Sequence, residues 1–324
     1  MRGARVASFT LPVLLFGCAL EPSGEPVFRE STALKGAQAA PEAQQVVAIV
    51  NFAGGQCSGV PITRDLLLTA RHCIGPTADV SRRVDCAESV FTDPDSAGAM
   101  FVVSTPEITD RVEDYRAVSE FTALPGDDSR LCGRDLALLR LKEALDVPPL
   151  VPRVDEPVVP GEPYTAYGYG DDEAELGSGI RRRLEGLTVS CVGLSCKDAE
   201  VFESEWVGSN GVCSGDSGGP ALDGEGRILG IVSRGATGCR SPVYESVAAF
   251  SDFLKSEARR AAREGKYEPP AWAQDPQASR EPLSDESTLE ASCAVRRGAG
   301  GAAWTTLVAM LGAWLFVRRR VLLR

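Results

Sequence analysis

The stretch GVCSGDSGGPAL, residues 211–222, decides the fold. It places one serine, Ser217, between an aspartate and two glycines in a run of small residues. A serine hydroxyl is a poor nucleophile, because it holds its proton far above neutral pH. A base must lie within hydrogen-bond reach to remove that proton as the new bond forms. If Ser217 is reactive, another part of the chain has to supply this base.

A second stretch, LLLTARHCIG at residues 66–75, contains His72, the only histidine of the 324 residues. A lone histidine is more often a surface or core residue than a catalytic one. Imidazole is nevertheless the side chain best suited to act as a base at neutral pH, since its pKa is about 6.5. A third stretch, GRDLALLRL at residues 133–141, offers Asp135, a carboxylate of the kind that fixes the tautomer of an imidazole.

In this order along the chain, LTARHC, GRDLALLRL and GVCSGDSGGPAL resemble the three signature segments of the chymotrypsin- and trypsin-like serine proteases. The resemblance covers most of residues 33–256. It implies an all-β fold of two packed antiparallel six-stranded β-barrels with a C-terminal helix. It also implies a serine endopeptidase in which Ser217 is the nucleophile, His72 the base and then the acid, and Asp135 the orienting carboxylate. The donors to the oxyanion would be the backbone N–H groups of Gly215 and Ser217.

The composition agrees with a folded, turn-rich protein. Its 33 glycines and 21 prolines favour a β-rich fold over a helical bundle, and 44% hydrophobic residues suffice for a core. The formal net charge of −11 argues against nucleic-acid binding, which requires a basic face. The sequence shows no metal-binding cluster, phosphate-binding loop or dinucleotide motif, so we expect neither a metal nor a cofactor.

Short alternating or apolar runs bounded by turn residues predict antiparallel strands. These runs include QQVVAIVNF, DLLLTA, AMFVVST, DLALLRL, YTAYGYG, RRLEGLTVSC and RILGIVS. One helix is predicted within ESVAAFSDFLKSEARRAAREG, residues 245–265, because apolar residues recur there at spacings of three and four. The apolar stripe consists of Val247, Phe250, Phe253 and Leu254.

Eight of the ten cysteines lie between the two ends of the chain, since Cys18 and Cys293 belong to the end segments. An even number in an exported chain indicates disulfide bonds. The expected pairs are Cys57–Cys73, Cys213–Cys239, Cys191–Cys196 and Cys86–Cys132. The resemblance implies the first two pairs, beside the histidine and across the substrate pocket. The last two follow by elimination.

The substrate pocket departs from that of tryptic members of the family, in which an aspartate six residues before the nucleophile forms the floor. Here that position is Gly211, followed by Val212, and neither can neutralise a buried cation. The resemblance places Ser233 and Gly235 in one wall, with Pro242 opposite in place of a usual glycine. We therefore expect an uncharged, small-to-medium P1 side chain.

The start of the domain leaves activation open. In the family, a new N-terminal ammonium group pairs with the aspartate before the nucleophile, here Asp216. The best match to the usual N-terminus is ALKGAQ, residues 33–38, with Ala33 where isoleucine is expected and Arg29 as an upstream processing site. Three interpretations remain: an active endopeptidase, a catalytically idle binding protein on the same fold, and an enzyme locked as a zymogen.

The N-terminal residues place two arginines before a short apolar run, which is typical of a secretory signal peptide. The sequence LFGC at 15–18 resembles a bacterial lipobox, and this implies cleavage before Cys18 and lipid attachment to its thiol. The alternative is an ordinary signal peptide that is cut near Leu20 or Ser23.

Near the other end, residues 298–317 form a largely apolar, charge-free segment. At about 1.5 Å of rise per residue, a helix of this length just crosses a bilayer core. Arginines at 318–320 follow and are expected to stay on the cytoplasmic side. With Cys293 in front, the arrangement resembles a bacterial C-terminal sorting tail; the alternative is a plain membrane anchor.

The predicted organisation is a signal peptide at 1–17, a pro-segment or linker at 18–32, a protease domain at 33–263, a Pro-rich acidic linker at 264–292 and a transmembrane or sorting tail at 293–324. We expect an exported monomer at the cell surface or outer membrane, or released from the cell. It would act on polypeptides and be attached to the membrane by the N-terminal lipid, the C-terminal tail or both.

Overall fold

The structure is a computed structural model that describes residues 37–51, 54–75, 77, 84–92, 96–126, 129–170, 179–197, 199–212, 215–236 and 239–274. The predicted signal peptide, Cys18 and the C-terminal tail lie outside these residues. Among the helices that the structure describes, none has the length and hydropathy needed to cross a membrane. The predicted spanning segment, 298–317, is outside the described ranges.

Thirteen strands and one α-helix form the regular framework of the described residues. In chain order the elements are β1 (Gln38–Ala39), β2 (Val47–Asn51), β3 (Gln56–Pro61), β4 (Leu66–Thr69), β5 (Met100–Val103), β6 (Tyr115–Ala123), β7 (Ala137–Leu141), β8 (Pro163–Gly168), β9 (Arg182–Val192), β10 (Glu205–Gly208), β11 (Pro220–Leu222), β12 (Ile228–Ala236), β13 (Arg240–Ser246) and α1 (Ser251–Gly265). The seven predicted runs correspond to β2, β4, β5, β7, β8, β9 and β12.

The first barrel closes in the order β2-β3-β4-β7-β6-β5, with β5 paired back to β2. All of its pairings are antiparallel. Leu67 on β4 and Leu139 on β7 lie directly opposite each other and are fully buried. They pack with Val47, Ile49 and Val102 in the core of this barrel. The alternation of apolar residues along these strands thus fills the barrel interior.

The second barrel runs β8-β9-β10-β13-β12-β11 and closes because β8 pairs with both β9 and β11, while β1 is added along β9. Its core contains the stacked rings of Trp206 and Tyr244, 4.0 Å between centroids. Tyr164 meets both rings edge-on. The predicted fold class, two packed six-stranded antiparallel barrels with a C-terminal helix, is confirmed.

The C-terminal helix is shorter than the predicted range of 245–265. Residues up to Ser246 belong to β13, and one tight turn separates this strand from α1. Val247 and Leu254 of the predicted stripe are fully buried. They share one apolar cluster with Val60 of the first barrel and Ile228 of the second. These buried residues therefore attach the C-terminal helix to both barrels.

The chain continues to pack on the domain after α1 ends. The hydroxyl of Tyr267 donates to the carboxylate of Asp65, which also pairs with Arg140 at 3.1 Å. Ala273 is fully buried. The described part of the predicted linker, residues 264–274, therefore lies against the folded domain.

The junction of the two barrels lies where β3 meets the loop before β11. The backbone N–H of Ser58 on β3 donates to the carbonyl of Ser217 at 2.7 Å. The Ser58 hydroxyl donates to the carbonyl of Gly215 at 2.9 Å and accepts the N–H of Tyr169 at 2.9 Å. A strand of the first barrel thus fixes the loop of the second barrel that carries Ser217.

Candidate active site

Strand pairing in the first barrel brings His72 and Asp135 together. β4 and β7 are antiparallel neighbours, with Thr69 opposite Ala137. His72 lies in a short 3₁₀ helix, Arg71–Cys73, that follows β4, and Asp135 lies just before β7. In an antiparallel pair the end of one strand and the start of the other share an edge. Both side chains therefore emerge at the same place.

The carboxylate of Asp135 is fully buried, and its hydrogen bonds fix the imidazole. Its Oδ1 accepts the backbone N–H of His72 at 2.9 Å, and its Oδ2 lies 2.8 Å from Nδ1 of the same residue. Oδ2 also accepts the hydroxyl of Ser233 at 2.6 Å. Contact with a carboxylate favours the tautomer that is protonated at Nδ1. Nε2 is then the nitrogen that can accept a proton.

The two members of this pair shift each other's pKa in opposite directions. Burial acts to lower the pKa of His72, but the charge and hydrogen bond of Asp135 outweigh it and raise that pKa above 6.5. Burial acts to raise the pKa of Asp135, but the charge of His72 and hydrogen bonds from His72 and Ser233 lower it overall. Asp135 therefore stays ionised at neutral pH beside a histidine of increased basicity.

A hydrogen bond and a disulfide bond connect the loop of Ser217 to the turn that carries His72. Ser58, whose N–H binds the Ser217 carbonyl, follows Cys57. Cys57 forms a disulfide bond with Cys73, the residue after His72. Cys73 Sγ itself lies 3.7 Å from the Ser217 carbonyl oxygen. The structure thus brings the segments that carry the predicted serine and histidine to one place.

The loop that carries Ser217 requires glycine at one of the predicted oxyanion positions. Gly215 has φ of +89°, in the left-handed region, and an added Cβ would lie 2.8 Å from Cα of Gly170. A side chain there would be strained both by its backbone and by its neighbour. The loop is therefore held in a backbone conformation that other residues rarely adopt.

Asp216 belongs to the same loop, and only 1% of its surface is exposed. Its Oδ1 accepts the N–H of Gly170 at 2.9 Å. The N-terminus that we expect as its partner, near Ala33, lies outside the described residues. Pairing of Asp216 with a processed N-terminus remains a prediction.

Several predicted pocket residues lie together on the second barrel. A Cβ added to Gly235 would lie 3.6 Å from Cα of Pro242 and 4.0 Å from the carbonyl oxygen of Val212. The side chain of Val212 is 3% exposed and packs into the barrel core. Ser233, expected in a pocket wall, is 3% exposed and donates its hydroxyl to Asp135. Pro242 is also buried, whereas Gly235 is exposed, so of these four residues Gly235 offers the most surface to a substrate.

Gly211, the predicted pocket floor, has a backbone conformation that would strain any side chain. Its φ is +127°, and an added Cβ would clash with the side chain of Leu184. Its N–H donates to the carbonyl of Cys239 at 2.8 Å. An aspartate at this position, as in tryptic pockets, is therefore incompatible with the backbone seen here.

The structure forms three of the predicted disulfide bonds: Cys57–Cys73, Cys86–Cys132 and Cys191–Cys196. Cys239 is also disulfide-bonded, and its predicted partner Cys213 lies outside the described residues. Cys57, His72 and Cys73 place potential ligand atoms within 4.8 Å of one another. Since the two sulfurs are bonded to each other, this cluster offers no thiolate to a metal.

A buried cluster of charges lies behind Asp135, and none of its members is among the predicted catalytic residues. Both carboxylate oxygens of Glu205 bind the guanidinium of Arg234, with Nη2 to Oε2 at 2.9 Å. Oε1 of Glu245 accepts the backbone N–H of Asp135 at 2.9 Å. The available signal was the presence of glutamates inside the otherwise apolar runs FESEWVG and PVYESV.

The family model described as Trypsin matches residues 33–254 of the chain. The chain belongs to the trypsin family of serine proteases. It is accordingly a serine endopeptidase, a hydrolase that acts on polypeptides. Its disulfide bonds are typical of extracellular proteins.

Curated relatives of this trypsin-family protein are only distantly similar in sequence. Kallikrein 1-related peptidase b5 of Mus musculus is 28% identical over 225 residues, which cover 64% of the chain and 82% of the relative. A trypsin-like protease of Streptomyces glaucescens is 28% identical over 219 residues, 64% of the chain and 75% of the relative. Phenoloxidase-activating factor 1 of Holotrichia diomphalia is 27% identical over 240 residues, 64% of the chain and 63% of the relative.

The acidic limb of kcat/KM should report His72, because the chain has no other histidine. Catalysis by a base needs the neutral imidazole, so activity falls as the pH drops through the pKa of His72. Since Asp135 raises that pKa, the midpoint is expected above 6.5. The measurement is kcat/KM against pH, repeated at low and high salt as a control for screening. A midpoint below about 6 would show that burial outweighs Asp135.

Proposed function

We propose that this trypsin-family endopeptidase cleaves peptide bonds through an acyl-enzyme formed on Ser217, with His72 as base and then acid and Asp135 as the orienting carboxylate. The observation that carries the proposal is the pair of contacts from His72 to the fully buried Asp135. They leave Nε2 of His72 as the basic atom, on a turn linked by a disulfide to the strand that binds the loop of Ser217.

The three side chains have separate roles in this mechanism: Ser217 attacks, His72 transfers the proton, and Asp135 stabilises the charged imidazole. Oγ of Ser217 bonds to the substrate carbonyl carbon while its proton passes to Nε2 of His72. The imidazolium is stabilised by the charge of Asp135. Collapse of the tetrahedral intermediate breaks the C–N bond, and the leaving amine takes the proton from His72. A water molecule then repeats the sequence on the acyl-enzyme and releases the second product.

The proposed oxyanion donors are the backbone N–H groups of Gly215 and Ser217. Support comes from the rigidity of their loop. The carbonyls of both residues are bound to Ser58, and Gly215 has no room for a side chain. Donors held in place before the substrate arrives need no reorganisation as negative charge develops, and this is the source of their effect on rate.

Two other functions on the same fold are a catalytically idle binding protein and a locked zymogen. An idle relative would be expected to lack a triad residue or an oxyanion glycine, whereas His72, Asp135, Gly215 and Ser217 are all present. Reaction of the purified protein with a serine-reactive fluorophosphonate separates the possibilities. A wild-type chain that resists this reagent would favour one of the two alternatives.

Substitution of a single triad residue should abolish most activity without unfolding the domain. Ser217→Ala, His72→Ala and Asp135→Asn are each expected to lower kcat by roughly 10⁴, because the three groups act as one unit. Peptide hydrolysis and fluorophosphonate labelling are the measurements. Ser256→Ala, at an exposed serine of α1, is the matched control and should retain full activity. A Ser217→Ala enzyme with more than about a tenth of wild-type activity would contradict the assignment.

We further propose that the P1 pocket accepts uncharged side chains. Gly211 at its floor carries no charge, a side chain there would be strained, and the neighbouring Val212, Gly235 and Pro242 are uncharged. Glu245, a nearby carboxylate in sequence, is fully buried and binds the backbone of Asp135. A P1 cation would thus lose its hydration without gaining a partner from these residues.

Peptides with Arg or Lys at P1 should be cleaved at least roughly 10²-fold less efficiently than peptides with Ala, Val or Leu. A cost of about 2.7 kcal/mol produces that ratio, and an unpaired buried charge costs more. The measurement is kcat/KM on peptides that differ only at P1. Gly211→Asp is not expected to restore tryptic cleavage, because the backbone there resists a side chain. A clear preference for Arg or Lys would show that another carboxylate reaches the pocket.

For the whole chain we propose export as a monomer and attachment to the membrane through a lipid on Cys18, the C-terminal tail or both, without nucleic-acid binding. The disulfide bonds support an oxidising location, and the negative net charge opposes binding to nucleic acid.

The lipid on Cys18 can be tested directly. Cys18→Ser should abolish labelling of the chain by a fatty-acid analogue and alter N-terminal processing, because the thiol is the attachment atom. Cys293→Ser, in the predicted tail, is the matched control and should leave this labelling intact. Labelling and processing that are the same in Cys18→Ser and wild type would support an ordinary signal peptide instead.

A further inference from the structure

Two glutamates of the second barrel face each other in its interior. Glu205 on β10 and Glu245 on β13 are directly opposite in the antiparallel register, and both are fully buried. Like charges in such a pair destabilise a sheet, and burial makes the cost larger. Within the part of the chain that the structure describes, one guanidinium, that of Arg234 on β12, forms an ion pair with this couple. One cation cannot pair fully with two ionised carboxylates.

The contacts of Glu205 are those of an ionised carboxylate. Its Oε1 accepts the N–H of Gly133 at 2.7 Å, and its Oε2 accepts the N–H of Phe202 at 2.7 Å. Arg234 donates to both oxygens. Every contact of the carboxylate is therefore with a donor, which is the environment that favours the charged form. Glu205 and Arg234 form a bidentate ion pair.

The contacts of Glu245 differ because one of them can use a proton on its carboxyl group. Its Oε1 accepts the N–H of Asp135 at 2.9 Å, and its Oε2 lies 3.4 Å from Oγ of Ser204. The Ser204 hydroxyl is also 3.1 Å from the carbonyl of Gly133, which can only accept. If Ser204 gives its one proton to that carbonyl, the proton between Ser204 and Glu245 has to come from Oε2. A neutral carboxyl satisfies all three contacts.

The charges that face Glu245 favour the same state. They come from Glu205 on β10, Arg234 on β12 and Asp135 before β7, with His72 beyond Asp135. Burial and the negative charges of Glu205 and Asp135 raise the pKa of Glu245 well above its usual range, although Arg234 and the N–H of Asp135 oppose this. The cation is already committed to Glu205.

We propose that the two glutamates divide their charge, with Glu205 ionised on Arg234 and Glu245 neutral, and that Glu245 is a positioning residue for the backbone of Asp135. This inference rests on the proposed function, in which Asp135 orients His72. Because Glu245 carries no charge, it holds Asp135 in place without adding a second anion behind the imidazole. It acts through Asp135 and does not touch the reacting atoms.

A neutral Glu245 has a measurable effect on stability. In the unfolded chain this residue ionises with a pKa of about 4.3, whereas in the native state it keeps its proton to higher pH. Between the two pKa values the unfolded state has lost a proton that the native state retains. Native stability therefore falls as the pH rises through this window. Below about pH 4 both states are protonated and the penalty disappears.

Glu245→Gln in the full chain is the central test. Glutamine keeps the acceptor for Asp135 and supplies a permanent N–H donor to Ser204, so it mimics the protonated carboxyl. The melting temperature of this variant should exceed that of wild type, by an amount that grows between about pH 5 and about pH 8. The acidic limb of kcat/KM should stay within about 0.5 pH unit of wild type, since no charge near His72 has been removed.

Glu205→Gln makes the same chemical change on the opposite strand and should have the opposite effect. Arg234 then loses its ionised partner, so the melting temperature should fall at every pH in that range. Glu203→Gln is the matched control, because Glu203 is exposed and only two residues from Glu205. It should change neither stability nor activity.

The positioning role is tested by Glu245→Leu, which is similar in size and leaves the N–H of Asp135 without an acceptor. Loss of one buried hydrogen bond predicts a decrease of about tenfold or more in kcat, with a smaller change in KM. Glutamine at the same position should restore most of that loss. If the leucine variant does not fold, the comparison of Glu245→Gln with Glu205→Gln still decides the charge assignment.

Any of three results would overturn the inference. A Glu245→Gln protein that melts below wild type at neutral pH, or whose acidic limb moves down by more than about 0.5 unit, would show that Glu245 is ionised. Equal destabilisation by Glu245→Gln and Glu205→Gln would show that both carboxylates are charged. Failure of the proposed function is distinguishable, because it would appear as a wild-type chain that fluorophosphonate does not label, whereas melting temperatures do not depend on activity.

Discussion

A carboxylate with no exposed surface, that of Asp135, accepts hydrogen bonds from His72 and Ser233, and the geometry of the active site depends on this buried charge. An ion removed from water is costly unless donors and a cation replace its hydration. Here a hydroxyl, a backbone N–H and an imidazole do so together. The same contacts fix the tautomer of His72 and make its Nε2 the basic atom.

The groups that hold Asp135 in place come from both barrels. His72 and Asp135 belong to neighbouring strand ends of the first barrel, whereas Ser233 and Glu245 belong to the second. The Ser217 loop, also in the second barrel, is bound in turn by β3 of the first. The positions of these residues therefore depend on how the two barrels pack together. Any change that separates them should disturb the Asp135 carboxylate and the Ser217 loop at once.

The sequence predicted the parts of this arrangement that are encoded locally. The signature segments predict His72, Asp135 and Ser217 as the catalytic residues, which stays a prediction, and alternating apolar runs located seven strands, because both signals lie within a few consecutive residues. The closed barrels also agree with the predicted fold. The helix was placed too early, since the apolar stripe continues from Val247 through a turn into α1.

Features that depend on pairing across the sheet could not be read from the sequence. The opposition of Glu205 and Glu245 is set by the register of β10 and β13, which are about forty residues apart in the chain. A glutamate in a strand is ordinarily solvent-exposed, so its burial depends on the partner that it meets. The hydrogen bond from Ser233 to Asp135 likewise joins residues 98 positions apart in the chain, so it has no local signal in the sequence.

The measurement that tests the central claim most directly is an NMR titration of the single imidazole in wild type and in Asp135→Asn. If the buried carboxylate of Asp135 sets the basicity of His72, wild type should titrate above 6.5 and the asparagine variant at a lower pH. Asparagine retains the shape of the side chain but removes its charge and replaces one acceptor oxygen with a donor. Equal pKa values in the two proteins would contradict the account.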